Sequence, residues 1–85
     1  MIYIDKPEWS KHGGKSRKKY SHMVADSLTE LHDFAAKIKV KRHFFHASSR
    51  IKHYDIAEEM FQVAIDNGAA EVNTREIVKI GKWMK

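Results

Sequence analysis

The sequence predicts a small α/β domain in which two or three short strands are covered by three helices, in the order β-β-α-α-β-α. Three observations carry this. Short β-rich runs occur near the start of the chain and again near its end. Three later segments repeat apolar residues at helical spacing. Each of those segments follows a residue type that caps helices. A chain of 85 residues is enough for one domain, taken as residues 1–85, although its core is small and its stability marginal.

The elements follow in order. Ile2, Tyr3 and Ile4 form a first strand, stopped by Asp5 and Pro7. Gly13 and Gly14 lie among basic side chains, and residues 11–19 read as a mobile basic loop. Residues 22–25 form a second strand. Ser27 with Glu30 three positions on has capping-box spacing. Leu28, Leu31, Phe34, Ala35 and Ile38 then mark one face of a helix over 28–39. Asp55 and Glu58 repeat the capping box, so a second helix is expected directly after Asp55, with Ile56, Met60, Val63 and Ala64 as its apolar face. Asn67-Gly68 is its left-handed stop. Residues 69–72 read as a third strand. Asn73 or Thr74 caps a last helix that turns Ile77, Ile80 and Met84 to one side, and Gly81 weakens its end by about 1 kcal/mol relative to alanine. So few strands cannot bury themselves, which makes the helices their cover.

Composition narrows the function. There is no cysteine, hence no disulfide and no thiolate metal site. No apolar run reaches the roughly 18 residues of a membrane span, and the first ten residues carry Asp5 and Glu8 in place of a secretion signal. The expected location is the cytoplasm, or the host cytoplasm if a phage encodes the chain. The formal charge is +5, and it is unevenly spread. Lys6, Lys11, Lys15, Arg17, Lys18 and Lys19 crowd the first twenty residues. Lys37, Lys39, Lys41, Arg42, Arg50 and Lys52 occupy a stretch with no acid. Clustered cations of this kind concentrate an anionic partner. Nucleophilic serine chemistry is poorly supported, and a nucleotide triphosphatase is excluded. No serine lies in GxSxG, and Gly13-Gly14-Lys15-Ser16 lacks the first glycine and the strand–helix frame of a triphosphate-binding loop.

The candidate site follows from chain order. Asp5 ends the first strand, His22 and Asp26 precede the first helix, and His53 and Asp55 precede the second. Strand ends and helix starts are where α/β domains gather ligands. His53 and Asp55 are two apart, so in an extended segment both point the same way, and a carboxylate beside an imidazole holds its tautomer and raises its basicity. Asp5, His22, Asp26, His32, His53 and Asp55 are the candidate ligands for a divalent metal such as zinc or manganese, though no HExxH spacing is present. Asp5, His22, His53 and Asp55 are also the candidates for acid–base catalysis. His43 and His46 share a face only if their segment is helical. Of Phe44 and Phe45, at least one should enter the core, and the other is a candidate stacking platform for a base.

The segments 20–40, "RHFFH" (42–46), "HYDI" (53–56) and "GAAEV" (68–72) resemble a family of small bacterial and phage proteins catalogued as domain of unknown function 4031. Asp5, His22, Asp26, Glu30, Leu31, His32, Phe45, His53, Tyr54, Asp55, Gly68 and Ala69 fall on its pattern. Relatives often carry tryptophan at the position of Phe44 and have a shorter, less basic first loop. The resemblance implies a shared fold and a shared polar site and supplies no activity. Three functions remain open. The first is binding of nucleic acid or another phosphorylated ligand through Lys15, Arg17, Lys18, Lys19, Arg42, His43, Arg50, Lys52, His53 and Tyr54. The second is metal-assisted hydrolysis of a phosphodiester or a related bond. The third is a protein-interaction module, such as a phage factor engaging a host protein.

Overall fold

The computed structural model describes residues 1–9, 19–47 and 50–84. Within them the chain is a mixed α/β domain built on one sheet. The strands are β1 (Ile2–Ile4), β2 (Glu8–Trp9), β3 (Lys19–Ala25), β4 (Phe45–His46), β5 (His53–Ala57) and β6 (Ala70–Glu71). The helices are α1 (Leu28–Lys37), α2 (Glu58–Asp66) and α3 (Thr74–Trp83), and a single 3₁₀ turn spans Arg42–Phe44. The sheet order is β4-β5-β3-β1-β6, with β2 pairing the outer end of β3. All pairs are antiparallel except β1 with β6.

The α/β class and the three helices agree with the sequence. The sheet is larger than expected, because β2, β4 and β5 join it. The main correction concerns Asp55, which sits inside β5 and caps nothing. The N-cap of α2 is Ala57, which makes no side-chain capping bond. An N-cap residue is itself extended, so the capping-box pattern fits a strand that runs two residues further before the helix begins. Pairing decides the boundary. Ser21 lies opposite Ile56 and Tyr20 opposite Ala57, which satisfies backbone groups that a helix start at 56 would leave to water.

Two helix ends follow their sequence signals. Ser27 accepts a bond from the Glu30 amide, and Asn73 accepts one from the Glu76 amide. At the end of α2, Gly68 takes φ 108°, and Gly68 and Ala69 bond back to Ile65 and Ala64. The end of α1 uses the same bonds, from Lys39 to Ala36 and Val40 to Ala35. There a lysine, at φ 63°, holds the left-handed position that glycine fills without strain.

Strand alternation gives the sheet two different faces. Ile2, Ile4, Met23, Ala25, Tyr54 and Ile56 point into the main core, which Leu31, Phe34 and Ala35 of α1, Ile38 at its C-cap and Ala64 of α2 help to fill. The opposite face carries His22, Val24, His53 and Asp55, and α3 covers only part of it. The cover is close where Gly81 meets Val24 and Ile51, since a Cβ there would lie 2.0 Å from Ile51 Cγ2. Beyond the reach of α3 the polar side chains stay accessible.

Candidate metal centre

Register assembles the site. His22 lies directly across from Asp55 on neighbouring strands, and His46 lies across from His53. Residues opposite one another share a face, as do residues two apart. Four polar side chains from β3, β4 and β5 therefore meet on the face that α3 leaves open. The rings of His46 and His53 stack at 5.1 Å and 14°. His22 meets His53 edge-on at 5.2 Å.

Asp5 lies behind His22, at the end of β1. It is 2 % exposed. Its Oδ1 accepts the His22 backbone N–H at 2.6 Å. Its Oδ2 accepts His22 Nδ1–H at 2.9 Å and the Thr74 hydroxyl at 2.9 Å. A buried carboxylate needs such partners. The result is an imidazole with its Nδ1 committed and its Nε2 lone pair turned outward. The hydrogen bond to Asp5 raises the pKa of His22 above the ordinary histidine value. Burial opposes this, and the charges of Asp5, Asp55 and Glu8 add to it.

His53 reaches the same state by another route. Its Nδ1 lies 2.6 Å from the Ile51 carbonyl oxygen. A carbonyl only accepts, so Nδ1 carries the proton. That leaves Nε2 facing Asp55 Oδ1 at 3.2 Å, while His46 Nε2 holds Asp55 Oδ2 at 2.7 Å. Burial pulls the Asp55 carboxyl upward. With the rings protonated, the hydrogen bond from His53 Nε2–H and the charges of His46, His53 and His22 outweigh it, so the net pKa is depressed. Loss of the Nε2 proton leaves a lone pair there for a ligand.

One atom each from His22, His53 and Asp55 lie within 4.8 Å of one another. Tetrahedral zinc with bonds of about 2.0–2.1 Å spaces its ligands roughly 3.3 Å apart, close to the His53–Asp55 separation. Metal-bound histidines commonly donate their second N–H to a carboxylate or a backbone carbonyl. Asp5 and Ile51 supply one of each. Three protein ligands leave coordination positions for water and substrate.

The remaining predicted residues divide. Asp26 stands apart, accepting from the Tyr3 hydroxyl and the Met1 amino group. His32 lies on the core side of the sheet, where its Nδ1 is 2.7 Å from the Tyr54 hydroxyl and its ring packs edge-on to Phe45. Burial, then Arg42, push its pKa down. Tyr54 is fully buried, so it anchors α1 to the sheet and does not contact a ligand on the open face. Arg42 lies with His32, away from the centre. Phe45 packs on the core and Phe44 stays 37 % exposed. Arg50 borders a hollow of about 190 Å³ beside His22 and His53, walled by Ile51, Ile77 and Val78. Lys52 is exposed, and Lys19 belongs to β3. Lys15, Arg17 and Lys18 lie outside the described residues. Sequence reasoning missed His46 and Thr74 as members. Thr74 read only as a helix cap, and His46 needed the β4–β5 register to be placed. A larger hollow of about 470 Å³ between Ile2 and the Phe34 side of α1 gathers no comparable set.

Fold and site together define a small α/β domain with a histidine–aspartate centre on its open sheet face. The chain belongs to the family described as Protein of unknown function (DUF4031), which matches residues 2–83. No curated protein and no solved structure matches it. Among the described residues no helix is long and apolar enough to cross a membrane.

Proposed function

We propose that this protein binds one divalent metal ion, zinc or manganese, through His22, His53 and Asp55, and uses it to hydrolyse a phosphate ester in the cytoplasm. One observation carries the reading. Both imidazoles have Nδ1 engaged by an acceptor, the Asp5 carboxylate and the Ile51 carbonyl, so each in its neutral form keeps its Nε2 lone pair for an ion shared with the Asp55 carboxylate. Such an ion brings the pKa of a bound water down to about 7 and neutralises charge on a phosphoryl oxygen. Water activated at a site held by His22, His53 and Asp55 would add to phosphorus as the P–O bond to the ester oxygen breaks, and the departing oxygen would keep the bonding pair and take up the proton that the water gives up. Asp5 and Thr74 would position His22 without touching substrate. A phosphate ester is favoured over a neutral substrate because Arg50 borders the hollow next to the two histidines.

The test is metal content and affinity. Protein loaded with zinc or manganese and desalted should retain one ion per chain by elemental analysis. His53→Ala should lose it, and Asp5→Asn should bind about 10- to 100-fold more weakly, as expected for loss of an outer-shell partner. Hydrolysis of bis(p-nitrophenyl) phosphate should require the ion. Equal metal retention by wild type and His53→Ala would sink the proposal.

A further inference from the structure

We infer that the substrate of this centre is single-stranded nucleic acid, an inference that rests on the metal reading above. The three candidate ligands face two hollows: His22 and His53 line one and Asp55 lines the other. The apolar one, beside His22 and His53, is walled by Ile51, Ile77 and Val78. The other, about 290 Å³, is lined by Lys39, Lys41, His43, Phe44 and Met60, with Asp55 itself in its wall. An ion held by His22, His53 and Asp55 would therefore border both. A strand lying in the second hollow would meet Lys39, Lys41, His43 and Phe44 and lie beside Asp55.

The chemistry of that hollow matches a strand with unpaired bases. Lys39 and Lys41 are exposed cations that line the same hollow. His43 and Phe44 present rings 4.2 Å apart and tilted by 35°. Phe44 leaves more than a third of its surface in water. An exposed ring flanked by cations offers a stacking face to any base and contacts to the phosphates on either side. In a duplex the bases are already stacked on one another, so that face would go unused. Glu59 also lines this hollow, on the α2 side, which favours a backbone path along Lys39 and Lys41. Across the ion, the apolar hollow would take the ring of the next nucleotide, with Arg50 at its rim.

Fluorescence anisotropy with a labelled oligothymidylate of about ten nucleotides tests this. It is run with manganese and with chelator, and metal content is measured on the same samples. Wild type should bind, and affinity should fall as salt rises. The double variant Lys39→Glu/Lys41→Glu should bind at least about tenfold more weakly, with a log–log salt slope shallower by about 1.4, the value for two lost single-strand phosphate contacts. Phe44→Ala should weaken binding several-fold and leave the slope unchanged. A duplex of equal length should compete at least about tenfold less well. Melting curves establish that each variant is folded. The inference is overturned if wild type retains its metal and does not bind the oligonucleotide, if the variants bind as well as wild type, or if duplex competes equally. Lysine-dependent binding by protein that holds no metal would instead uphold the single-strand surface and defeat the metal reading.

Discussion

His22 shows how much of the site depends on a single buried carboxylate. Asp5 takes three hydrogen bonds, two of them from His22 itself, and so fixes the backbone and the ring of the same residue. In metal-free protein this coupling has a pH signature. The folded-state pKa of His22 is raised, so its contribution to stability is fully present below the unfolded value of about 6.5 and is lost as pH rises through the folded value. Urea unfolding from about pH 6 to about pH 9 should show the advantage of wild type over Asp5→Asn shrinking as pH rises. A constant difference would mean that Asp5 acts by packing alone. Asp55 has the opposite sense. Its depressed pKa makes its contribution one that is kept at neutral pH and lost as pH falls through the folded value.

Among the elements, β5 carries most of the argument. It supplies His53 and Asp55 to one face and Tyr54 and Ile56 to the other. Catalytic-looking and structural residues therefore alternate within "HYDI", and a one-residue slip would exchange them. That register is held on both sides, by β3 and by β4. The helix α3 bears on the site through close approach. Gly81 looks like a weak helix residue in sequence, worth about 1 kcal/mol less than alanine. In the fold it is the point where α3 closes onto Ile51 and Val24. Gly81→Ala should therefore destabilise by about 1–3 kcal/mol through overpacking, against its helix propensity. Because Ile51 also supplies the carbonyl that orients His53, the same variant should bind metal less tightly. Chemical denaturation and metal titration check both, and a stabilised variant would show that Ile51 yields freely.

At the scale of the whole molecule, the centre ties the sheet together. Its proposed ligands come from β3 and β5, and their supports come from β1, α3 and the segment leading into β5. Binding of an ion to the folded state alone adds RT ln(1 + [L]/Kd), about 2.7 kcal/mol at a hundredfold excess over Kd. In a chain this small that corresponds to a rise in melting temperature on the order of 10 °C or more. Thermal unfolding with zinc or manganese should show it in wild type, and His53→Ala should not respond. An equal shift in both would place the ion elsewhere.

The sequence by itself determined the α/β class, the three helices, the cap Ser27, a last cap at Asn73 or Thr74 and the stop at Gly68. All of these are local, set by spacing, capping chemistry and backbone freedom within a few residues. It also marked Asp5, His22, His53 and Asp55 as polar residues at element boundaries. Only the tertiary structure decided which of them meet. Asp26 and His32 carry the same chemistry as the residues at the centre, yet Asp26 lies beyond the end of β3 and His32 on the core side of the sheet. Strand pairing made that choice, because register between β3, β4 and β5 is a relation between residues 7 to 37 positions apart. No capping box or periodicity reports such a relation. The same pairing turned Asp55 from an expected helix cap into a strand residue and brought in His46, whose place rests entirely on its partner across the ladder.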